Sequence, residues 1–186
     1  MSERLRGINR LQTTLRLPLR HVTRVAMNTD SQGVTRRLLL ADLAATEALG
    51  VQIAAGLRKG DAVALEGDLG AGKTTLARAI LRALAVTESV PSPTFTLVQN
   101  YETPGLSVRH YDFYRILNPR EIDELGFDEA LEEGAALIEW PERAGDRLPE
   151  DALHVVLTTT GAQSRCADLS GPSRWAAYFT ESALAR

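Results

Sequence analysis

Eight consecutive residues of this 186-residue chain have the types and spacing of a phosphate-binding loop. They match the pattern G-x-x-x-x-G-K-[ST] and are Gly67, Asp68, Leu69, Gly70, Ala71, Gly72, Lys73 and Thr74. The end glycines let backbone amides approach phosphate oxygens, because they adopt backbone conformations closed to other residues. Lys73 supplies a charge for the β- and γ-phosphates, and Thr74 supplies a hydroxyl for Mg²⁺. The pattern predicts nucleotide binding, and the next residue, Thr75, is included in the predicted site.

The alternative interpretation of this segment is a flexible glycine loop. Two observations favour the phosphate loop. An apolar strand is predicted before it and an amphipathic helix after it, which is the context that the motif requires. The chain also has only two lysines, Lys59 and Lys73, and uses arginine as its usual cation, so a lysine here has a local reason.

A second motif bears on the type of nucleotide. Guanine-specific proteins with this loop usually carry [NT]-K-x-D well downstream of it. The K-x-D of this chain, Lys59-Gly60-Asp61, lies upstream and follows Arg58. By exclusion the sequence favours ATP, without identifying an adenine pocket.

Two acidic residues stand where strands are expected to end. Asp112 closes VRHYD and Glu139 closes ALIE. An ATPase of this kind needs an acid at a strand end to hold Mg²⁺ and its waters, and usually a second group that orients the attacking water. On pattern alone, Asp112 can equally cap a turn and Glu139 can be a solvated strand end. Trp140, which follows Glu139, is equally compatible with a core position or an interface anchor.

The elements that must position these residues follow from hydrophobic periodicity and turn residues. Helices are predicted at 42–57, 73–85, 118–126 and 173–184, with Asp42 and Asn118 as the caps of the first and third. Strands are predicted at 35–40, 62–67, 95–101, 106–112, 135–140, 152–160 and 165–170. Pro104-Gly105 predicts a hairpin, and the last two strands predict another.

The fold class predicted from these elements is α/β, a single three-layer P-loop NTPase domain with a mixed β-sheet flanked by helices. Hairpins need antiparallel neighbours, whereas a strand–loop–helix unit favours parallel ones, so the sheet is expected to be mixed. Ligand is expected at the carboxyl ends of strands 62–66, 106–112 and 135–139.

Charge divides the chain into two parts. Residues 1–26 hold six arginines and one acid, whereas the remaining 160 residues hold 15 basic and 23 acidic side chains. We therefore expect a basic extension at 1–33 and a P-loop ATPase domain at 34–186. The extension fits a mitochondrial transit peptide, a start codon assigned upstream of Met27, or a genuine basic arm. The acidic domain is expected to be a poor autonomous nucleic-acid binder, because phosphate binding needs clustered positive charge.

Composition narrows the functional classes further. With 44% apolar and 24% charged residues the chain is expected to form a globular core. No apolar run approaches the length of a membrane helix, so no membrane association is expected. The single Cys166 excludes a disulfide framework within the chain, and His21, His110 and His154 show no metal-ligand spacing.

The motifs, taken in order, resemble those of the bacterial TsaE (YjeE) ATPases, which serve threonylcarbamoyladenosine (t6A) modification of tRNA. The resemblance covers about residues 35–185, and the basic extension is the one feature outside the family pattern. The matching segments are ATEALG with Thr46 and Gly50, LEGDLGAGKTT (65–75), SPTFTLVQNYE (92–102), HYDFYRI (110–116), ELGFDE (124–129) and IEWPER (138–143).

The resemblance implies roles for individual residues. Thr74 and Glu139 are expected to be Mg²⁺ ligands, Asp112 to orient or activate water, and Lys73 to act with these two acids in catalysis. Trp140 is expected to be required for function.

Four further residues receive roles from the resemblance alone. Ser92 and Thr94 lie in a loop that is expected to sense the nucleotide or contact a partner, although Ser92 can equally cap a turn. Arg165 is expected near the nucleotide, and Thr46 on a helix that flanks the base.

The function implied by the resemblance is partner-stimulated ATP hydrolysis. The protein is expected to be cytoplasmic, to use ATP and Mg²⁺, and to bind the TsaD and TsaB proteins. These partners transfer threonylcarbamoyl to adenosine 37 of tRNAs reading codons that begin with A, so tRNA is contacted indirectly. ATP hydrolysis would permit multiple turnover. The alternatives are a small-molecule kinase and a non-catalytic ATP-dependent scaffold of the same complex.

Overall fold

The structure, a computed structural model, describes residues 33–179 of the chain. The predicted basic extension, apart from Gly33, lies outside the described residues. A single seven-stranded sheet has the order β1-β7-β6-β2-β5-β4-β3. The strands are β1 (Val34–Leu40), β2 (Ala62–Glu66), β3 (Val98–Glu102), β4 (Ser107–Asp112), β5 (Ala135–Glu139), β6 (Leu153–Thr159) and β7 (Arg165–Gly171). The helices are α1 (Leu43–Gly56), α2 (Lys73–Ala83), α3 (Glu121–Glu124) and α4 (Phe127–Glu133).

The sheet is mixed, as predicted. The four central strands β6, β2, β5 and β4 are parallel, so their carboxyl ends meet at one edge. The β3–β4 and β6–β7 hairpins add antiparallel neighbours, and β1 pairs antiparallel with β7 at the outer edge. The predicted fold class is therefore confirmed.

Alternation along the strands sends side chains to two faces that build separate cores. On one face Val63, Leu65 and Leu137 pack with Leu49 of α1 and Leu76 of α2. We call this the α1–α2 face. The other face carries a second cluster with α3 and α4, whose members include Ala136, Ile138, Tyr111, Ile122 and Phe127. We call this the α3–α4 face, and the two faces together give three layers.

Local sequence explains how α1 and α2 are fixed. Asp42 caps α1, because its Oδ1 accepts a hydrogen bond from the amide of Ala45 at 2.9 Å. Gly50 lets the helices approach closely, since a Cβ there would lie 2.4 Å from the Cβ of Ala79. Helix α2, which carries Lys73 and Thr74, is thereby packed closely against α1.

Three predicted elements differ from those observed. The strand predicted to begin at 95 begins at Val98, because residues up to Leu97 form a turn closed by a 2.6 Å hydrogen bond from the Leu97 amide to the Pro93 carbonyl. The helix predicted at 118–126 is a single turn, and α4 follows it after Gly126, which has φ 67°. The helix predicted at 173–184 is a 3-10 helix at Ser173–Ala177, and residues 180–184 lie outside the described range.

Between residues 33 and 179, no helix is long and apolar enough to cross a membrane.

Candidate nucleotide site

The loop between β2 and α2 has the backbone conformation that its glycines allow. Gly67 and Gly72 have φ values of 130° and 112°, in a region that other residues rarely adopt. A Cβ at Gly67 would also lie 2.3 Å from the carbonyl oxygen of Leu157 in β6. The loop is therefore shaped by glycine at its start and at the N-terminus of α2, where backbone amides favour an anion.

Lys73 is held inside this loop. Only 4% of the residue is exposed, and its Nζ donates to the carbonyl oxygens of Gly67 at 2.5 Å and Asp68 at 2.9 Å. The ammonium also lies 3.7 Å from the ring centroid of Trp140, a cation–π contact. Burial lowers the pKa of Lys73 from its usual value, and the negative charge of Glu139 opposes that shift.

The two predicted acids lie side by side. Asp112 and Glu139 are register partners at the ends of the parallel strands β4 and β5, and both are buried. The hydroxyl of Thr74 donates to Oε2 of Glu139 at 2.9 Å, so helix α2 and strand β5 meet here. Oε1 of Glu139 lies 2.9 Å from Nε2 of His110.

Asp112 is fixed by the loop that precedes β3. Its Oδ2 accepts a hydrogen bond from the hydroxyl of Thr94 at 2.5 Å, and the Oγ atoms of Ser92 and Thr94 are 2.8 Å apart. Its Oδ1 accepts from the amide of Tyr114 at 2.9 Å, so Asp112 also caps a turn. Asp112 therefore caps a turn and also lies beside the phosphate loop, so these two interpretations of the residue are compatible.

Trp140 follows Glu139 in the left-handed region, with φ 60°, where non-glycine residues are uncommon. Its amide donates to the carbonyl of Leu65 at 3.3 Å, and its ring lies 4.9 Å from that of Tyr114. This backbone turn brings the indole back over Lys73. Such a conformation persists only where the surrounding structure holds it. The contacts around Trp140 therefore fix its position in the site.

Two cavities adjoin at the loop. The smaller, about 250 Å³, contains most of the predicted catalytic side chains: its lining includes Lys73, Thr74, Asp112, Glu139, Trp140, Ser92 and Thr94. The larger, about 460 Å³, lies on the other side of the start of α2, and its lining includes Thr46, Thr75 and Arg165. The guanidinium of Arg165 donates from Nε to the carbonyl of Ala71 at 2.9 Å. The linings of the two cavities share Gly72 and Thr75.

The side-chain oxygens of Thr74 and Glu139, beside the loop, fit the ligand preferences of a magnesium ion. Among residues 33–179 there is no group of three or more His, Cys, Asp or Glu side chains arranged around one point. Mg²⁺ is usually held by one or two carboxylates together with phosphate oxygens and water. The Thr74 hydroxyl and the Glu139 carboxylate, 2.9 Å apart, are such a donor pair.

The structure thus brings the predicted site residues together at the loop in two adjoining groups, except that Gly67 and Asp68 belong to the loop without lining either cavity. Sequence reasoning did not single out His110 and Tyr114, or five residues that line the larger cavity: Asp42 (predicted only as a cap), Leu43, Ala44, Leu157 and Gln163. Period-two alternation was a usable signal for His110, because residues 110 and 112 of one strand point to the same face. For Gln163 the sequence offers no signal.

The fold and the loop define a P-loop nucleotide-binding protein. The profile of the family described as "Threonylcarbamoyl adenosine biosynthesis protein TsaE" matches residues 40–167, well over half of the chain. The chain belongs to the TsaE family.

Individual relatives agree with this. Proteins named "tRNA threonylcarbamoyladenosine biosynthesis protein TsaE" are 38% identical over 139 residues in Nostoc sp. (72% of this chain, 85% of that protein) and 51% identical over 87 residues in Rickettsia typhi (46% and 60%). The match thus spans less than two thirds of the Rickettsia protein. Among solved structures, Bacillus subtilis YdiB superposes with a TM-score of 0.66 at 29% identity, over 78% of this chain and 92% of that chain.

Proposed function

We propose that this chain is an ATPase that assists the TsaD–TsaB complex in t6A modification of tRNA and hydrolyses ATP to permit multiple turnover. The observation that carries the proposal is the convergence of Lys73, Thr74, Asp112 and Glu139 on one cavity at the carboxyl ends of β2, β4 and β5. ATP hydrolysis needs these three kinds of group: residues that bind the phosphates, oxygen ligands for a cation, and a carboxylate that positions the attacking water.

Each residue has a definite task in this proposal. Lys73 leaves the carbonyls of its own loop to bind the β- and γ-phosphates, which the loop amides also contact. Thr74 and Glu139 hold Mg²⁺, whose contribution when bound is to neutralise phosphate charge. Asp112, held by Thr94 and by the Tyr114 amide, orients or activates the attacking water.

Other parts of the site bind the rest of the nucleotide and respond to it. Arg165 and Thr46 line the larger cavity, which takes the nucleoside in this proposal. Trp140 holds the Lys73 ammonium. Thr94 is hydrogen-bonded to Asp112 and Ser92 to Thr94. A movement of Asp112 in response to the phosphates would therefore be passed to the loop that carries Ser92 and Thr94.

The partners supply what the acidic domain lacks. TsaD and TsaB would hold the tRNA, so that tRNA is contacted only through the complex. The proposal includes a cytoplasmic location, since the family takes part in the modification of tRNA.

The test is ATP turnover by the protein alone and then with purified TsaD–TsaB and tRNA, with Lys73→Ala as the blank. We expect slow hydrolysis alone, because other P-loop proteins gain about 10³–10⁵-fold from a transition-state arginine that a partner can supply. A rise in hydrolysis with the partners, together with repeated rounds of t6A formation, supports the proposal. Fast turnover without partners contradicts it.

Two other functions make different predictions in the same assay. A small-molecule kinase would phosphorylate an acceptor, with arginines such as Arg109 as a clamp. Arg109 is already engaged, because it donates to the Gly126 carbonyl at 2.7 Å and to Glu133 at 3.1 Å. A non-catalytic scaffold would need ATP binding but not hydrolysis, and a variant of Asp112 separates it from an enzyme.

A further inference from the structure

His110 has no role in the proposed function, yet it forms a buried pair with Glu139, which has one. None of the His110 side chain and 4% of the Glu139 side chain are exposed, and Nε2 of His110 lies 2.9 Å from Oε1 of Glu139. A carboxylate oxygen only accepts hydrogen bonds, so the proton between these atoms belongs to Nε2. His110 is therefore the donor and Glu139 the acceptor.

The state of the other ring nitrogen, Nδ1, indicates that His110 is present for its contact with Glu139. Its Nδ1 is buried and has no hydrogen-bond partner among residues 33–179. A histidine placed for packing alone would cost more than an apolar residue of similar size, because a buried polar atom without a partner loses its hydration. The contact with Glu139 is the one polar interaction that this side chain makes within the described residues.

The two oxygens of Glu139 are thus assigned to different partners. Oε1 is held by His110 from β4, and Oε2 meets the Thr74 hydroxyl from α2 at 2.9 Å. A hydroxyl has one proton and two lone pairs, so Thr74 can donate to Oε2 while its oxygen faces a cation. Without His110, Oε1 would be a buried carboxylate oxygen without its donor, and the carboxylate would be free to rotate away from Thr74.

We propose that His110 is a positioning residue that fixes the Glu139 carboxylate, so that Oε2 and the Thr74 hydroxyl present a preformed pair of oxygens to the nucleotide-bound magnesium ion. This inference rests on the proposed function, because it takes Glu139 and Thr74 as the residues that hold Mg²⁺. Groups that orient metal-binding side chains in this way typically contribute about 10- to 100-fold to metal affinity or activity.

The experiment compares the dissociation constant of a non-hydrolysable ATP analogue in Mg²⁺ and in EDTA, measured by calorimetry on the full chain. His110→Asn places its amide near the position of Nδ1 and removes the donor to Glu139. His110→Gln places its amide near the position of Nε2 and keeps that donor. We expect His110→Asn to weaken binding in Mg²⁺ by about 10- to 100-fold and to leave binding in EDTA unchanged. We expect His110→Gln to retain most of the Mg²⁺ effect.

A second histidine–glutamate pair provides the matched control. His154 of β6 contacts Glu66 of β2 through Nδ1 at 2.7 Å, and about one third of each side chain is exposed. It lies on the opposite side of the sheet from the site, so His154→Ala is expected to leave the Mg²⁺ effect as it is in the unaltered protein.

Several results would overturn the inference. One is an Mg²⁺ effect of the same size in His110→Asn and the unaltered protein. Another is equal weakening in Mg²⁺ and in EDTA, which indicates a general structural role. A third is loss of the effect in a folded His110→Gln. If the unaltered protein itself binds the analogue equally in Mg²⁺ and EDTA, the proposed function fails first.

A measurement on the unaltered protein covers the case in which His110→Asn does not fold. Nitrogen-15 NMR of the imidazoles distinguishes the two tautomers of a histidine. We expect His110 to carry its proton on Nε2, with Nδ1 bare. A proton on Nδ1 with a bare Nε2 removes the donor to Glu139 and overturns the inference.

Discussion

The two faces of the sheet use the same strands for different purposes. In β4 the side chains of His110 and Asp112 point to the α1–α2 face, where they meet Glu139 and the loop region. Tyr111, between them, points to the α3–α4 face, where its ring lies 5.5 Å from that of Phe127. Burial raises the pKa of the Tyr111 phenol, whose hydroxyl donates to the Gly126 carbonyl at 3.2 Å. One strand therefore serves chemistry and packing in alternate residues.

This difference shows how the site obtains rigidity. The α1–α2 face carries buried charges, which cost free energy and must be paired. The α3–α4 face carries an aromatic cluster in which Tyr111, Phe113 and Phe127 lie 5.5 to 6.0 Å apart. Packing on the second face holds the strand ends in register, and this register places Asp112 beside Glu139. If this division is correct, substitutions on the two faces affect different measurements.

The largest expected effect is that of Asp112→Asn on catalysis. The substitution keeps the shape of the side chain but removes the charge that would orient water in the proposed function. We expect partner-stimulated ATP hydrolysis to fall by about 10²–10⁴-fold, the range for a positioned general base or acid, with nucleotide affinity retained. Steady-state turnover and calorimetric binding measure the two quantities. Full t6A formation by the variant would show that hydrolysis is incidental and favour the scaffold.

Phe127→Ala is the corresponding change on the packing face. Phe127 is 2% exposed and its ring contacts those of Tyr111 and Phe113, so its removal leaves a cavity. We expect the free energy of unfolding to fall by about 3–5 kcal/mol, measured by urea titration. The nucleotide affinity of the remaining folded protein should not change. A fall in affinity with little loss of stability would contradict the division between the faces.

The smallest effect is expected from Arg37→Ala. Arg37 of β1 pairs with Asp168 of β7 at 2.5 Å, on the part of the sheet that α3 and α4 do not cover, and the two side chains are 57% and 36% exposed. Exposed pairs of this kind contribute less than about 1 kcal/mol, so unfolding and ATP hydrolysis should both change little. A clear loss of hydrolysis would mean that this part of the sheet takes part in function.

Much of the site could be predicted from sequence because its residues carry strong local signals. The loop from Gly67 to Thr74 has a spacing that only phosphate binding explains well. Asp112 and Glu139 each stand at the end of a predicted strand, and parallel strands bring such ends together. The roles assigned to Ser92, Thr94, Arg165 and other site residues came from the family resemblance. Those roles stay predictions, although the structure brings the residues to the loop.

The remaining features depended on contacts that a single sequence does not show. The segment Phe95–Leu97 has strand-forming composition, yet Leu97 takes φ 65° in a turn, and this turn sets Thr94 against Asp112. The helix predicted at 118–126 is only the single turn α3, and α4, which begins directly after Gly126, was not predicted. The pairing of His110 with Glu139 needed the register of β4 and β5.

The pairing of β1 with β7 has a consequence for folding of the chain during its synthesis. Val34 is paired with Gly171, so β1, the first strand among residues 33–179, finds its neighbour only after almost the entire described domain has left the ribosome. At about 5–20 residues per second, the wait is on the order of ten seconds. During that interval β1 has a free strand edge and an apolar residue, Leu40, without its native cover. The arrival of β7, rather than formation of the phosphate loop, therefore completes the described sheet.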